Sequence, residues 1–151
     1  MKVIALAVTT AALIALSAFA RSGDTPRAVR YLPADEVAEA FAQGRPLVEV
    51  ENYKVHASRR EAAGQVEVHT KDTDILYVLT GTATFVTGGT MVGGKEIAPE
   101  EIRGTSIEGG EVRTLHPGDL VIVPSGTPHW FKEVSGPMTY CAVKVRAEAG
   151  R

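Results

Sequence analysis

From Leu47 onward the chain runs in short stretches of alternating apolar and polar residues, closed by turns bearing Gly or Pro. Side chains two apart share a face of a strand, so this period predicts β-structure. In PLVEVENYKVHASRR, Tyr53, Val55, Ala57 and Arg59 fall on one face and Lys54, His56, Ser58 and Arg60 on the other. VEVH, DILYVLTG, TATFVTGG, VRTL, DLVIV and MTYCAVKV continue the rhythm. Strands this short, spaced by turn signals and uninterrupted by helix, describe an all-β sandwich or barrel. One helix is expected ahead of it, over LPADEVAEAFAQG. Pro33 suits a first turn, Asp35 and Glu36 suit its N-terminal end, Gly44 suits its stop, and Val37 and Phe41 form a stripe that docks on the barrel. The stretch MVGGKEIAPEEIRGTSIEGGEV breaks the rhythm; rich in Gly and charge, it reads as a long connection, either a lid over the barrel mouth or an exterior excursion.

The first twenty residues, MKVIALAVTTAALIALSAFA, follow a different pattern: one Lys, an apolar run too short for a comfortable membrane span, and a small-x-small ending at Ala18-Phe19-Ala20. This is the pattern of a secretory signal peptide with cleavage after Ala20. The organisation expected is a signal over 1–20, a lead and helix over 21–46, and a barrel over 47–147. The destination is periplasmic or secreted, with no stable membrane association after cleavage. The whole chain carries a formal charge of −2. No basic patch interleaves with aromatic residues, which argues against nucleic acid as a partner. The single cysteine, Cys141, lies in an apolar run; an exported chain with one such cysteine has no disulfide framework and depends on core packing.

Candidate chemistry concentrates in two stretches. In GQVEVHTKDTDILYVLTG, Glu67 and His69 project from one face of a strand, and a hairpin return through Asp74 brings that carboxylate beside them. Glu, His and Asp converging on a concave surface is the donor set of a hard or borderline divalent metal; the alternative is a polar barrel mouth with ordinary turn aspartates. If the Tyr53 face is interior, Arg59 places a cation near this site to hold a substrate carboxylate; otherwise Arg59 and Arg60 are a solvated strand end. His56 and His116 read as surface residues. Ser125 has no Gly-x-Ser-x-Gly elbow around it, and Gly93-Gly94-Lys95 lacks the spacing of a phosphate loop. Neither a serine triad nor a nucleotide site is implied.

The second stretch, GDLVIVPSGTPHWFKEV, places Gly118, Pro124, Gly126 and His129 at the spacing Gly-x5-Pro-x-Gly-x2-His. With the first stretch, where Asp74 stands seven residues before Gly81, it resembles the two motifs of the cupin superfamily. Glu67 and His69 fall on the His-x-His pair of that family's first motif, Asp74 on its Glu, and Glu133 on the closing Asn of its second. The resemblance covers roughly residues 59 to 145 and implies a double-stranded β-helix, a jelly-roll barrel. It also implies a divalent transition metal (Fe, Mn or Zn) held by His69, His129 and Asp74, with Glu67 as a fourth ligand or general base and the metal as Lewis acid. The family's fold serves dioxygenases, isomerases, decarboxylases, binding domains and storage proteins. The leading expectation is therefore a metal-dependent enzyme acting on a small polar or anionic molecule, with Glu67 and Arg59 as catalytic residues. A small-ligand-binding module and a structural dimer are the alternatives, and a homodimer is the expected assembly.

Overall fold

The computed structural model describes residues 29–146. The signal-peptide reading and the cleavage site at Ala20 lie outside the described residues. Among the described residues, one helix, α1 (Ala34–Gln43), precedes thirteen strands. They are β1 (Pro46–Glu49), β2 (Tyr53–Arg60), β3 (Val66–His69), β4 (Asp72–Thr80), β5 (Ala83–Thr87), β6 (Thr90–Val92) and β7 (Lys95–Ala98). The rest are β8 (Glu101–Gly104), β9 (Ser106–Glu108), β10 (Glu111–Leu115), β11 (Leu120–Val123), β12 (His129–Val134) and β13 (Met138–Arg146). A five-stranded sheet in the order β1-β2-β13-β4-β11 and a six-stranded sheet in the order β10-β5-β12-β3-β8-β7 are antiparallel throughout, while β6 and β9 form a separate pair. This is the expected double-stranded β-helix with one helix ahead of it.

The helix ends where the sequence predicts. Gly44 adopts a left-handed conformation and its N–H donates to the Ala40 carbonyl at 2.8 Å. Val37 and Phe41 are half-buried and Ala40 fully buried, and the helix lies against β1 and β2. Its position decides the orientation of β2. Ala57 is completely buried and its N–H donates to Arg45 just past the helix, so the odd-numbered face of β2 is on the helix side. The even-numbered residues Lys54, His56, Ser58 and Arg60 therefore face the barrel interior, where all four line its cavity. The expectation that Arg59 stands near the site is corrected here: its guanidinium pairs with Glu61 at 2.6 Å, on the outside.

The inward faces of β4 and β13 change character along their length. Paired across the two strands, Arg146 meets Asp72 and Lys144 meets Asp74, and two residues further on Ala142 meets Leu76. The apolar end belongs to the core, where Leu76, Val78, Met138 and Tyr140 from one sheet pack with Phe85, Leu115 and Phe131 from the other. The charged end opens into a cavity of about 390 Å³. One end of the barrel is plugged and the other is a lined cup.

Residues 91–112 are neither a lid nor an excursion. They supply β6 to β9, and β8 pairs with β3 in register, Arg103 opposite Glu67 and Glu101 opposite His69. The Gly and charge content conceals strands of three or four residues, too short to show a period.

Candidate metal site

Glu67 and His69 project from β3, Asp74 from β4 and His129 from the start of β12, where His129 pairs directly with Glu67. His69 Nε2 lies 3.4 Å from Glu67 Oε2 and 3.4 Å from Asp74 Oδ2. His129 Nε2 lies 3.8 Å and 3.6 Å from the same two oxygens. The two imidazole rings are 5.3 Å apart, centroid to centroid. Thus the structure brings together all four residues to which the sequence assigns the metal. Among the described residues, Glu67, His69 and His129 form the group whose ligand atoms all lie within 4.8 Å of one another.

Local structure explains the convergence. Gly126, in a left-handed conformation that a side chain would strain, donates its N–H to the His69 carbonyl at 2.8 Å, tying the turn of one motif to the strand of the other. His129 Nδ1 lies 3.2 Å from the Thr127 carbonyl. A carbonyl only accepts, so the proton is on Nδ1 and the Nε2 lone pair is free to face the cluster. Phe85, wholly buried, stands behind the His129 ring. Gly64 makes room on the other side: an added Cβ would come within 2.5 Å of an Arg60 guanidinium nitrogen.

That guanidinium is the cation the sequence reading assigned to its neighbour. Arg60 donates to Glu67 Oε1 at 3.0 Å and to the Tyr140 hydroxyl at 3.0 Å, and lies over the Phe131 ring at 4.5 Å. Arg103 meets the same Oε1 at 2.5 Å. Lys144 donates to Asp74 Oδ2 at 2.7 Å. Sequence reasoning missed Arg103 and Lys144. Lys144 was within reach of it, because alternation in TYCAVKV puts Lys144 on the face opposite Cys141 and Val143. Arg103 carried no such signal. His56 is also closer than expected: it lines the cavity and bonds to Glu49 Oε1 at 2.9 Å. His116 is exposed beside Asp119, as expected. Cys141 is half-buried and free, with burial pushing its thiol up.

The electrostatics hold Glu67 and His129 in their ligating forms. Burial pushes the Glu67 carboxyl up, but His69, Arg103, His129 and Arg60 outweigh it and hold it far below the usual carboxylate range. Burial lowers His129 against the opposing pull of Glu67 and Asp74, which keeps the imidazole neutral. Among the described residues, two buried side-chain atoms have no hydrogen-bond partner, His69 Nε2 and Asp74 Oδ1. Buried nitrogen and oxygen donors are rarely orphaned without cause; two imidazoles, an ionised carboxylate and an orphaned nitrogen aimed among them suit a divalent ion.

Comparisons with known proteins agree with this architecture. The cupin-domain family model matches residues 103–144. Among solved structures, a Bacillus halodurans protein is 14% identical with a TM-score of 0.55, covering 85% of this chain and 88% of its own. A Klebsiella pneumoniae protein described as having a double-stranded β-helix domain is 19% identical with a TM-score of 0.52, covering 82% of this chain and 95% of its own. A Neisseria meningitidis protein is 10% identical with a TM-score of 0.51, covering 77% and 99%. No curated protein matches the chain. The fold is that of a small double-stranded β-helix with a His/His/Glu cluster at its open end. Over residues 103–144 the chain is similar to the cupin domain, and its fold is the double-stranded β-helix found in these solved structures.

Proposed function

We propose that this protein is a divalent-metal-dependent enzyme, of dioxygenase, isomerase or decarboxylase type, acting on a small polar or anionic molecule in the barrel cavity. The observation that carries the reading is His69 Nε2, buried, without a hydrogen-bond partner and 3.4 Å from each of two carboxylate oxygens. His69, His129 and Glu67 would hold the ion, with Asp74 beside them. A bound iron, manganese or zinc supplies Lewis acidity and open coordination positions.

The remaining work falls to the chain itself. Arg60 and Arg103 hold Glu67 Oε1, which aims Oε2 at the imidazoles, and Phe85 and Phe131 wall the site from the core side. Five cations and six carboxylates line the cavity, a balance of −1. A divalent ion would bring that balance to about +1, which favours an anionic ligand.

Glu67→Gln separates its possible roles. Metal lost on this substitution makes Glu67 a ligand; metal retained with turnover abolished makes it the general base. A variant that keeps both metal and full turnover would remove Glu67 from the mechanism.

A second reading, a non-catalytic small-ligand-binding module, is favoured by a specific feature: each site carboxylate already has a cationic partner in Arg60, Arg103 or Lys144. A small molecule co-purifying without metal would select it. We further propose export and a homodimer. The apolar first twenty residues support export, and an intact mass beginning at Arg21 in the exported protein is expected; the full chain held in a membrane fraction would end that idea.

A further inference from the structure

The two site carboxylates are held in different ways. At Glu67 the work is divided between oxygens: Arg60 and Arg103 both take Oε1, and the two imidazoles face Oε2. At Asp74 one oxygen does both. Lys144 Nζ is 2.7 Å from Oδ2, the same atom that lies 3.4 Å and 3.6 Å from His69 and His129 Nε2, while Oδ1 is buried without a partner. Building on the metal reading above, we infer that Lys144 is an internal competitor of the metal: its ammonium holds Asp74 until an ion, binding at His69, His129 and Glu67, displaces it.

The setting permits such an exchange. Lys144 and Asp74 are direct cross-strand partners on β13 and β4, so the contact is fixed by register rather than by chance reach. Asp74 is nearly fully buried, and a buried carboxylate needs a cation. In the metal-free protein Lys144 is that cation; with an ion in place it becomes redundant and, as a like charge, unfavourable. Its four-carbon stem is flexible and its side chain lines the open cavity, so the ammonium has space to leave. The arginines on Glu67 need not move, because they use the other oxygen. Glu67 is thus a standing ligand and Asp74 a conditional one, and loading a metal places a free ammonium in the substrate cavity.

Two measurements with Zn²⁺ alone test this on the full-length protein. The first needs no variant: acetylation of lysines by an amine-reactive ester, read by peptide mass spectrometry with and without Zn²⁺. Lys144 should be modified severalfold faster in the loaded protein, while exposed Lys95 is unchanged; an equal or slower Lys144 rate in protein that binds Zn²⁺ overturns the inference. The second is a double-substitution cycle on Zn²⁺ affinity, measured by chelator competition. Lys144→Met should tighten binding at least tenfold, and the gain should vanish in an Asp74→Asn background. A gain of equal size in both backgrounds would make Lys144 a mere neighbouring charge and contradict competition for Asp74. Lys144→Gln, which retains a neutral donor, serves if the Met variant does not fold. Zn²⁺ binding to the unaltered protein separates the two claims. If it is absent, the metal reading itself fails and takes this inference with it. If it is present without the Lys144 effects, this inference fails and that reading stands.

Discussion

At the scale of single residues, the site depends on protonation states that the fold imposes. Burial lowers His129 below its ordinary value of 6.5, so the unfolded chain takes up a proton there before the folded one does. Stability from this group is present above about pH 6.5 and is lost as pH falls from there through the folded value. Glu67, also lowered, acts in the same direction but further into acid: its contribution is present above the unfolded carboxylate value and is lost as pH falls through its depressed folded value. The metal-free protein is therefore expected to lose stability between pH 7 and pH 5, and His129→Gln to flatten that slope. Urea midpoints across the range check this; a flat profile in the unaltered protein would contradict it. The residue that sequence could not place is Arg103. Its neighbours in KEIAPEEIRGTS show no period, and only the long-range pairing of β8 with β3 brings it to Glu67. Glu67, His69 and His129 were legible because a strand period and a turn motif are local; Arg103 was not, because sheet order is not.

At the scale of elements, β2 shows how one helix reverses an inference. Alternation identified its two faces correctly, yet both carry an arginine, and nothing within the strand says which faces inward. The answer comes from α1, which covers Ala57 and sends Arg60 to Glu67 and Arg59 to Glu61. Two substitutions separate the faces. Arg59→Ala should change stability by no more than about 0.5 kcal/mol, as exposed pairs are weak. Arg60→Ala, which removes donors from part-buried Glu67 and Tyr140, should cost about 1–3 kcal/mol. Chemical denaturation of both variants measures the difference, and equal effects would mean that Arg60 is not part of the site's support. The helix and the barrel strands were themselves plain in the pattern. The strands of residues 91–112 were not, since runs of three or four residues are set by their partners and not by their own propensity.

At the scale of the molecule, the five-stranded sheet departs from an ordinary one-sided antiparallel sheet, whose outer face is polar. Its inward face is apolar over the core and charged only at the cavity end, while Tyr77, Leu79, Leu120, Ile122 and Val145 are exposed on the outside, Leu120 and Ile122 by 59% and 60%. No charged residue lies among them on β11 or on the outward positions 75, 77, 79, 141, 143 and 145. An uncharged, apolar face beside an edge strand is a surface for association, and it supports the proposed homodimer. Light scattering at micromolar concentration should give a dimer mass, and Ile122→Lys should give a monomer that still folds. A monomeric unaltered protein would count against the assembly without touching the site.

The central claim is that buried donors at the open end of the barrel hold a transition metal. Elemental analysis of protein purified without chelator or metal-affinity resin tests it most directly. A stoichiometric transition metal is expected, lost on His69→Ala and on His129→Ala, and retained on His116→Ala, whose ring is exposed beside Asp119. Protein that carries no transition metal, and takes up none when offered iron, manganese and zinc in turn, would contradict the account.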